Sequence, residues 1–173
     1  MNSKNSISLI GFMGSGKTTI AKLLSKRLNK KIIEMDQLVL DKTSYNDINE
    51  IFTKKGELYF RELEIKTAKS IKDLKNKVIS TGGGVVMNKI IIDYLKQNSL
   101  IFYLKTKFNT IKTRLIKDTS RPLFKDIKTA KQLFKLRTPL YEYYSDYQIT
   151  TDNKTPNQIT NEIIKIYRKY GNS

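Results

Sequence analysis

The sequence predicts an α/β fold, an open parallel sheet with helices on both faces, and three observations carry that prediction. Five short, apolar, β-rich runs recur at residues 7–11, 31–35, 77–81, 99–104 and 147–151. Longer helical stretches separate them, and this alternation builds βαβ units around a parallel sheet. The 173 residues contain no internal repeat, low-complexity tract or Pro/Gly-rich linker, so they suit a single domain.

The elements follow in order. The run ISLIG (7–11) leads through a glycine-rich turn into a helix over 17–28. KIIEM (31–35) is followed by two short helices between residues 36 and 55. A longer helix over 57–74 opens after Gly56, with Phe60, Leu63 and Ile65 as core candidates. KVIST (77–81) ends in three glycines and is followed by a helix over 88–97. SLIFYL (99–104) feeds a helix over 108–116. The stretch KDTSRPLFKDIK is polar, carries Pro122 and separates two helices; it reads as a mobile lid over roughly 114–126. A helix over 127–144, the strand YQITT (147–151) and a helix over 156–170 complete the chain.

Composition excludes several kinds of chemistry. Cys and His are both absent, which removes disulfides, thiolate sites, the commonest metal ligand and the commonest general base. Catalysis must then rest on carboxylates, Lys, Arg, backbone amides and a bound metal. No run of about 18 apolar residues is present, so no membrane span is expected, nor a secretory leader, and a cytoplasmic location is the default. The net charge of +17 invites a nucleic-acid reading. The lysines are scattered, however, and no aromatic–basic motif accompanies them, so a solvated basic surface is the better account. Only six of the 33 basic residues are Arg, and where Lys is the default cation an Arg points to a need for its planar fork.

GFMGSGKTT (11–19) contains G-x-x-x-x-G-K-[ST] between a strand and a helix, the context that this phosphate-binding motif requires. Its glycines, with Ser15, let backbone amides turn toward phosphate oxygens, and the helix beginning near Lys17 adds its positive end. Lys17 suits the β- and γ-phosphates, and the Thr18 hydroxyl suits Mg²⁺. The loop implies nucleoside triphosphate binding and leaves open a kinase, an NTPase or a switch.

Other residues bear on an acceptor. Glu34 and Asp36 close the second strand, and ligands of open α/β sheets bind at the strands' carboxyl ends. Asp36 suits an acceptor hydroxyl and Glu34 a metal, the alternative being that Asp36 caps a helix. Arg61 and Glu64, three apart on a helix, form either a surface ion pair or an oriented grip on an anion. Gly82, Gly83 and Gly84 indicate close approach of a ligand to backbone, with Ser80 or Thr81 near the metal. Arg121, in the lid, suits charge on a transferring phosphoryl group. Arg114 and Arg137 are further candidates.

Together these segments resemble shikimate kinase over nearly the whole chain. The resemblance rests on GFMGSGKTT, the E-M-D pair, G-E-x-x-F-R-x-x-E from Gly56 to Glu64, the T-G-G-G turn, the S-R-P-L lid and R-x-P-L-Y from Arg137. It implies a three-layer α/β/α P-loop fold with strand order 2-3-1-4-5 and transfer of phosphate from ATP to the 3-hydroxyl of shikimate. It also implies Asp36 at the reacting hydroxyl, and Arg61 and Arg137 on the shikimate carboxylate. Gly82, Gly83 and Gly84 would lie against the ring, and Lys17 and Arg121 would act on the γ-phosphoryl group. Gly14, Ser15, Gly16, Lys17, Thr18 and Thr19 would cradle the nucleotide, with Arg114 near the adenine and Lys154 further along. Mg²⁺ would sit on Thr18, with Glu34 reaching it through water. No nucleic-acid partner is implied, and a monomer is expected.

Two departures stand out. The family pattern is Asp-x-Asp where this chain has Glu34. Its adenine segment begins with an Asp where this chain has Thr150, and an Arg is frequent where Lys154 stands. Competing readings are a related kinase for gluconate or a nucleoside monophosphate, and a non-catalytic nucleotide-binding module.

Overall fold

The computed structural model describes residues 4–116 and 126–171. Five strands, β1 (Ser6–Ile10), β2 (Lys31–Glu34), β3 (Lys77–Ser80), β4 (Ser99–Lys105) and β5 (Tyr147–Thr150), form one sheet. Its order is β2-β3-β1-β4-β5 and every pairing is parallel. This is the expected three-layer arrangement and strand order. The order changes direction at β1, the first and central strand, and such a switch point opens a crevice at the strands' carboxyl ends.

Among the described residues seven α-helices flank the sheet: α1 (Lys17–Leu28), α2 (Met35–Leu40), α3 (Ile48–Ile71), α4 (Lys89–Lys96), α5 (Phe108–Ile116), α6 (Ile127–Tyr144) and α7 (Pro156–Gly171). A strand's side chains alternate between faces, and the core divides accordingly. Ile7 and Leu9 of β1 and Leu100, Phe102 and Leu104 of β4 pack with Ile20 and Leu24 of α1 and Ile159 and Ile163 of α7. Ile10, Ile101 and Tyr103 point the other way, onto α3, α4, α5 and α6 through Ala68, Ile92, Ile111 and Tyr141.

A third, smaller cluster lies off the sheet. Val39 of α2 meets Ile51, Phe60 and Leu63 of α3, each burial worth roughly 1.5–3 kcal/mol. It fastens the segment carrying Asp36 to the helix carrying Arg61. Phe60 and Leu63 are thus core residues as expected, while Ile65 is only partly buried against the second face of the sheet.

The predicted break at Gly56 is present, although α3 continues across it: Gly56 sits at φ 82°, ψ 173°, inside the helix span. Asp47 caps the first half, accepting from the Glu50 amide at 2.8 Å. The helix ends at Ile71 rather than 74. A 3₁₀ turn over Val85–Met87 was not anticipated; it follows the three glycines and lets Asn88 cap α4 through the Ile90 amide.

Candidate active site

The donor loop forms between β1 and α1. Gly16 caps α1 with φ 97°, a left-handed conformation that costs little only without a Cβ. The Lys17 side chain is buried and curls back, its Nζ donating to the carbonyls of Gly11 at 2.8 Å and Phe12 at 3.1 Å. A cation inside a loop of its own backbone is positioned for phosphate before any ligand arrives. Ser15 Oγ is buried and unpartnered among the described residues, while Thr18 and Thr19 open to solvent on the first turn.

Thr18 Oγ1 donates to Glu34 Oε2 at 3.2 Å, and Glu34 Oε1 is buried with no partner among the described residues. A hydroxyl and a carboxylate with an unsatisfied oxygen make a hard-oxygen donor set that fits Mg²⁺, an ion that commonly takes one or two protein ligands plus phosphate. Among the described residues no group of three Asp, Glu, His or Cys could hold a metal alone. Of the other two metal-side candidates, Thr81 spends its hydroxyl on the Leu9 carbonyl at 2.8 Å, and Ser80 is buried beside Glu34 in the strand register.

The acceptor side is a cleft of about 700 Å³. It collects Asp36 from α2, Arg61 and Glu64 from α3, Gly82, Gly83 and Gly84 after β3, and Arg137 from α6. Asp36 does not cap its helix: Glu34 holds the N-cap position, and no side-chain cap bond is made there. The Arg61–Glu64 pair is no surface ornament. Arg61 Nη1 donates to Glu64 Oε2 at 2.5 Å, with the two side chains 16% and 2% exposed. Glu57 Oε1 accepts from Arg61 Nε at 3.2 Å and Nη2 at 2.8 Å. Burial pulls the Arg61 pKa down, but Glu64 and Glu57 outweigh it and the net direction is up. Arg137 is buried, its Nε has no partner among the described residues, and its guanidinium lies 6.0 Å from the centre of the Phe12 ring.

Close packing explains the glycines. A Cβ on Gly82 would stand 2.6 Å from Asp36 Oδ1 and 3.0 Å from Glu64 Oε1, and one on Gly84 would fall on the Arg61 guanidinium. A Cβ on Gly83 would meet the Met13 amide nitrogen at 3.3 Å, so the acceptor turn lies directly against the donor loop. The Thr81 amide ties the same turn to β1, donating to the Leu9 carbonyl at 3.3 Å.

Two residues matter here that sequence reasoning passed over or left secondary. The Tyr141 hydroxyl donates to the Gly83 carbonyl, and its ring stacks on Tyr103 with centroids 5.1 Å apart. The signal was available, because Tyr141 lies four residues after Arg137 and so shares its helix face. We expect Tyr141→Phe to raise the acceptor KM several-fold, leave the ATP KM unchanged and cost about 1 kcal/mol of stability. Steady-state kinetics with each substrate varied, plus denaturant unfolding, would check this.

Glu64 is the second. Burial pushes its pKa from 4.5 up to about 7; Arg61 opposes the rise and the charge of Asp36 adds to it. The folded chain therefore holds this proton more tightly than the unfolded chain. The resulting stability is fully present below about pH 4.5 and is lost as pH rises through about 7. Glu64→Gln cannot titrate, so its loss of stability between about pH 5 and pH 8 should be smaller than the wild type's by roughly 2 kcal/mol. Urea unfolding at both pH values measures the difference.

The remaining candidates divide. Arg114 Nη1 donates to the Gly14 carbonyl at 3.2 Å, placing it on the donor loop. Lys154 instead pairs with Glu162 at 2.6 Å. Next to it the sequence reading overlooked Asp152, which accepts from the Lys107 amide at 3.1 Å and Thr110 Oγ1 at 2.6 Å and ties the loop after β5 to α5. Arg121 and most of the expected lid lie outside the described residues.

The family model for shikimate kinase matches residues 13–168. The chain belongs to the shikimate kinase family. Shikimate kinase from Sulfurihydrogenibium is 42% identical over 94% of this chain and 98% of its own length. Shikimate kinase from Thermodesulfovibrio yellowstonii is 40% identical over 96% of each chain. Among solved structures, shikimate kinase from Acinetobacter baumannii in complex with shikimate matches with a TM-score of 0.89 at 30% identity, covering 95% of this chain and 93% of that one. Family membership sets aside the gluconate, nucleotide-acceptor and non-catalytic readings. Among the described residues no helix is long and apolar enough to cross a membrane.

Proposed function

We propose that this chain transfers the γ-phosphoryl group of ATP to the 3-hydroxyl of shikimate, giving 3-phosphoshikimate and ADP. The observation that carries the reading is the acceptor cleft, in which one carboxylate and two guanidinium groups surround a glycine turn that abuts the phosphate loop. An anionic polyol asks for these features: forks for its carboxylate, an acceptor for a hydroxyl proton, and backbone close to its ring.

In this reading Arg61, held by Glu57 and Glu64, and Arg137, with its unpartnered Nε, grip the shikimate carboxylate. Asp36 receives the proton of the 3-hydroxyl as its oxygen attacks the γ-phosphorus and ADP leaves. Lys17 follows charge on the transferring group, and Gly14, Ser15, Gly16, Thr18 and Thr19 line the nucleotide's phosphates. Thr18 and Glu34 would hold Mg²⁺, which would supply neutralisation of the phosphates' charge. Arg114, Arg121 and Lys154 are assigned to the nucleotide side. We assign residues 1–173 to one kinase domain, working as a monomer, with the acceptor region near 36–64 and a lid near 114–126.

The test is a coupled ADP-release assay with the purified protein, ATP and a panel of small anionic acceptors, with the product identified by mass spectrometry. Shikimate-dependent ADP release with formation of a phosphorylated product is expected. Release that does not depend on shikimate, or that another acceptor supports better, would overturn the assignment.

A further inference from the structure

We propose that Glu34 binds the nucleotide's divalent cation directly, as an inner-sphere ligand beside Thr18, rather than through a water molecule. The inference rests on the nucleotide reading given above and assigns a specific coordination to one residue of that site.

The distance between the two donors is the first argument. Thr18 Oγ1 and Glu34 Oε2 are 3.2 Å apart. Oxygens on adjacent vertices of a magnesium octahedron, at about 2.0–2.1 Å from the ion, stand about 2.9 Å from each other. The two atoms therefore come within a few tenths of an ångström of spanning one edge, and the hydrogen bond now joining them marks where the ion would enter.

Charge and satisfaction give the second. Among the described residues Glu34 Oε1 is buried and unpartnered, Oε2 accepts a single hydroxyl hydrogen bond, and no ion pair to Glu34 occurs. A buried carboxylate oxygen without a donor is uncommon and costly. A cation at Oε2 offsets that cost by neutralising the group.

Reach is the third. Strand β2 is pinned to β3 by parallel pairing through Glu34 and Ser80, so side-chain length sets where the carboxylate ends. An Asp at this position would fall short by one carbon–carbon bond, about 1.5 Å, and would leave room for a bridging water. The Glu fills most of that gap.

The experiment uses the purified protein with ADP and Mn²⁺, a paramagnetic stand-in for Mg²⁺, and counts the waters on the metal by water-proton relaxation and electron–nuclear double resonance. The wild-type Mn²⁺·ADP complex should hold one inner-sphere water fewer than Glu34→Asp. Glu34→Gln should likewise gain one water, since a neutral amide competes poorly for the ion, and it keeps the length should the shorter variant fold badly. Equal water counts in wild type and both variants, with ADP bound in each, would overturn direct ligation and leave the nucleotide reading intact. Failure of the wild type to bind ADP by calorimetry, with or without metal, would overturn the nucleotide reading and this proposal together.

Discussion

Replacing Asp36 by Asn should lower kcat by about 10²–10⁴-fold, the usual contribution of a positioned proton acceptor, while ADP affinity stays within a factor of about two. Asn keeps the size of the side chain but loses the negative charge and the capacity to take a proton. Asp36 is exposed to the cleft on the first turn of α2, and Glu34 rather than Asp36 occupies the cap position. Its Oδ1 flanks Gly82, the glycine that also faces Glu64. Gly82 and Glu64, the neighbours of this carboxylate, both belong to the cleft, so loss should appear in turnover and not in nucleotide binding. Steady-state kinetics paired with ADP calorimetry would separate the two. An unchanged kcat would move the proton acceptor elsewhere, with Glu64 the next carboxylate in the cleft.

Arg137→Ala should raise the acceptor KM by about 10²-fold or more, because two charge-assisted hydrogen bonds at about 1.5–3 kcal/mol each are removed. The ATP KM should hardly move. Arg137 is nearly enclosed and its Nε has no partner among the described residues, so the ground state already carries the cost of desolvating a guanidinium that is aimed into the cleft. Arg137→Lys should recover only part of the loss, since a single ammonium keeps the charge without the fork. Full recovery by Lys would mean that charge alone suffices, and an unaltered acceptor KM in the Ala variant would remove Arg137 from the carboxylate site.

The donor half was legible because its information is local. A strand, GFMGSGKTT and a helix are contiguous, and the glycine spacing dictates the backbone path around Lys17. Strand positions were readable for a similar reason: a parallel sheet covered on both faces demands near-continuous apolar runs, as in β4, where six of the seven residues are buried. The acceptor half was legible only as residue types. That Arg61 and Glu64 form a nearly enclosed pair, rather than a solvent-exposed one, follows from the glycine turn after β3 packing on Arg61, a contact between segments some twenty residues apart. Tyr141 enters the sequence pattern only as the end of R-x-P-L-Y, with no role of its own, because an aromatic on a helix face reads as core, which it is, and its hydroxyl's partner, the Gly83 carbonyl, lies in a distant segment. Asp152 escaped because its partners, Lys107 and Thr110, belong to a different element.

The closeness of Gly83 to Met13, whose amide nitrogen a Cβ at position 83 would meet at 3.3 Å, has a consequence for how such an enzyme can change. The donor loop follows β1 and the acceptor turn follows β3, and these strands are hydrogen-bonded neighbours, about 4.8 Å apart as in any sheet. The spacing between phosphate donor and acceptor is thus written in the main chain. In the proposed reading, side chains from α2, α3 and α6 would choose which molecule occupies the acceptor position without setting the distance across which the phosphoryl group travels. Acceptor identity and transfer distance are separable traits in this architecture: exchanging the guanidinium forks alters recognition, whereas a bulkier residue at position 83 alters the alignment common to any acceptor.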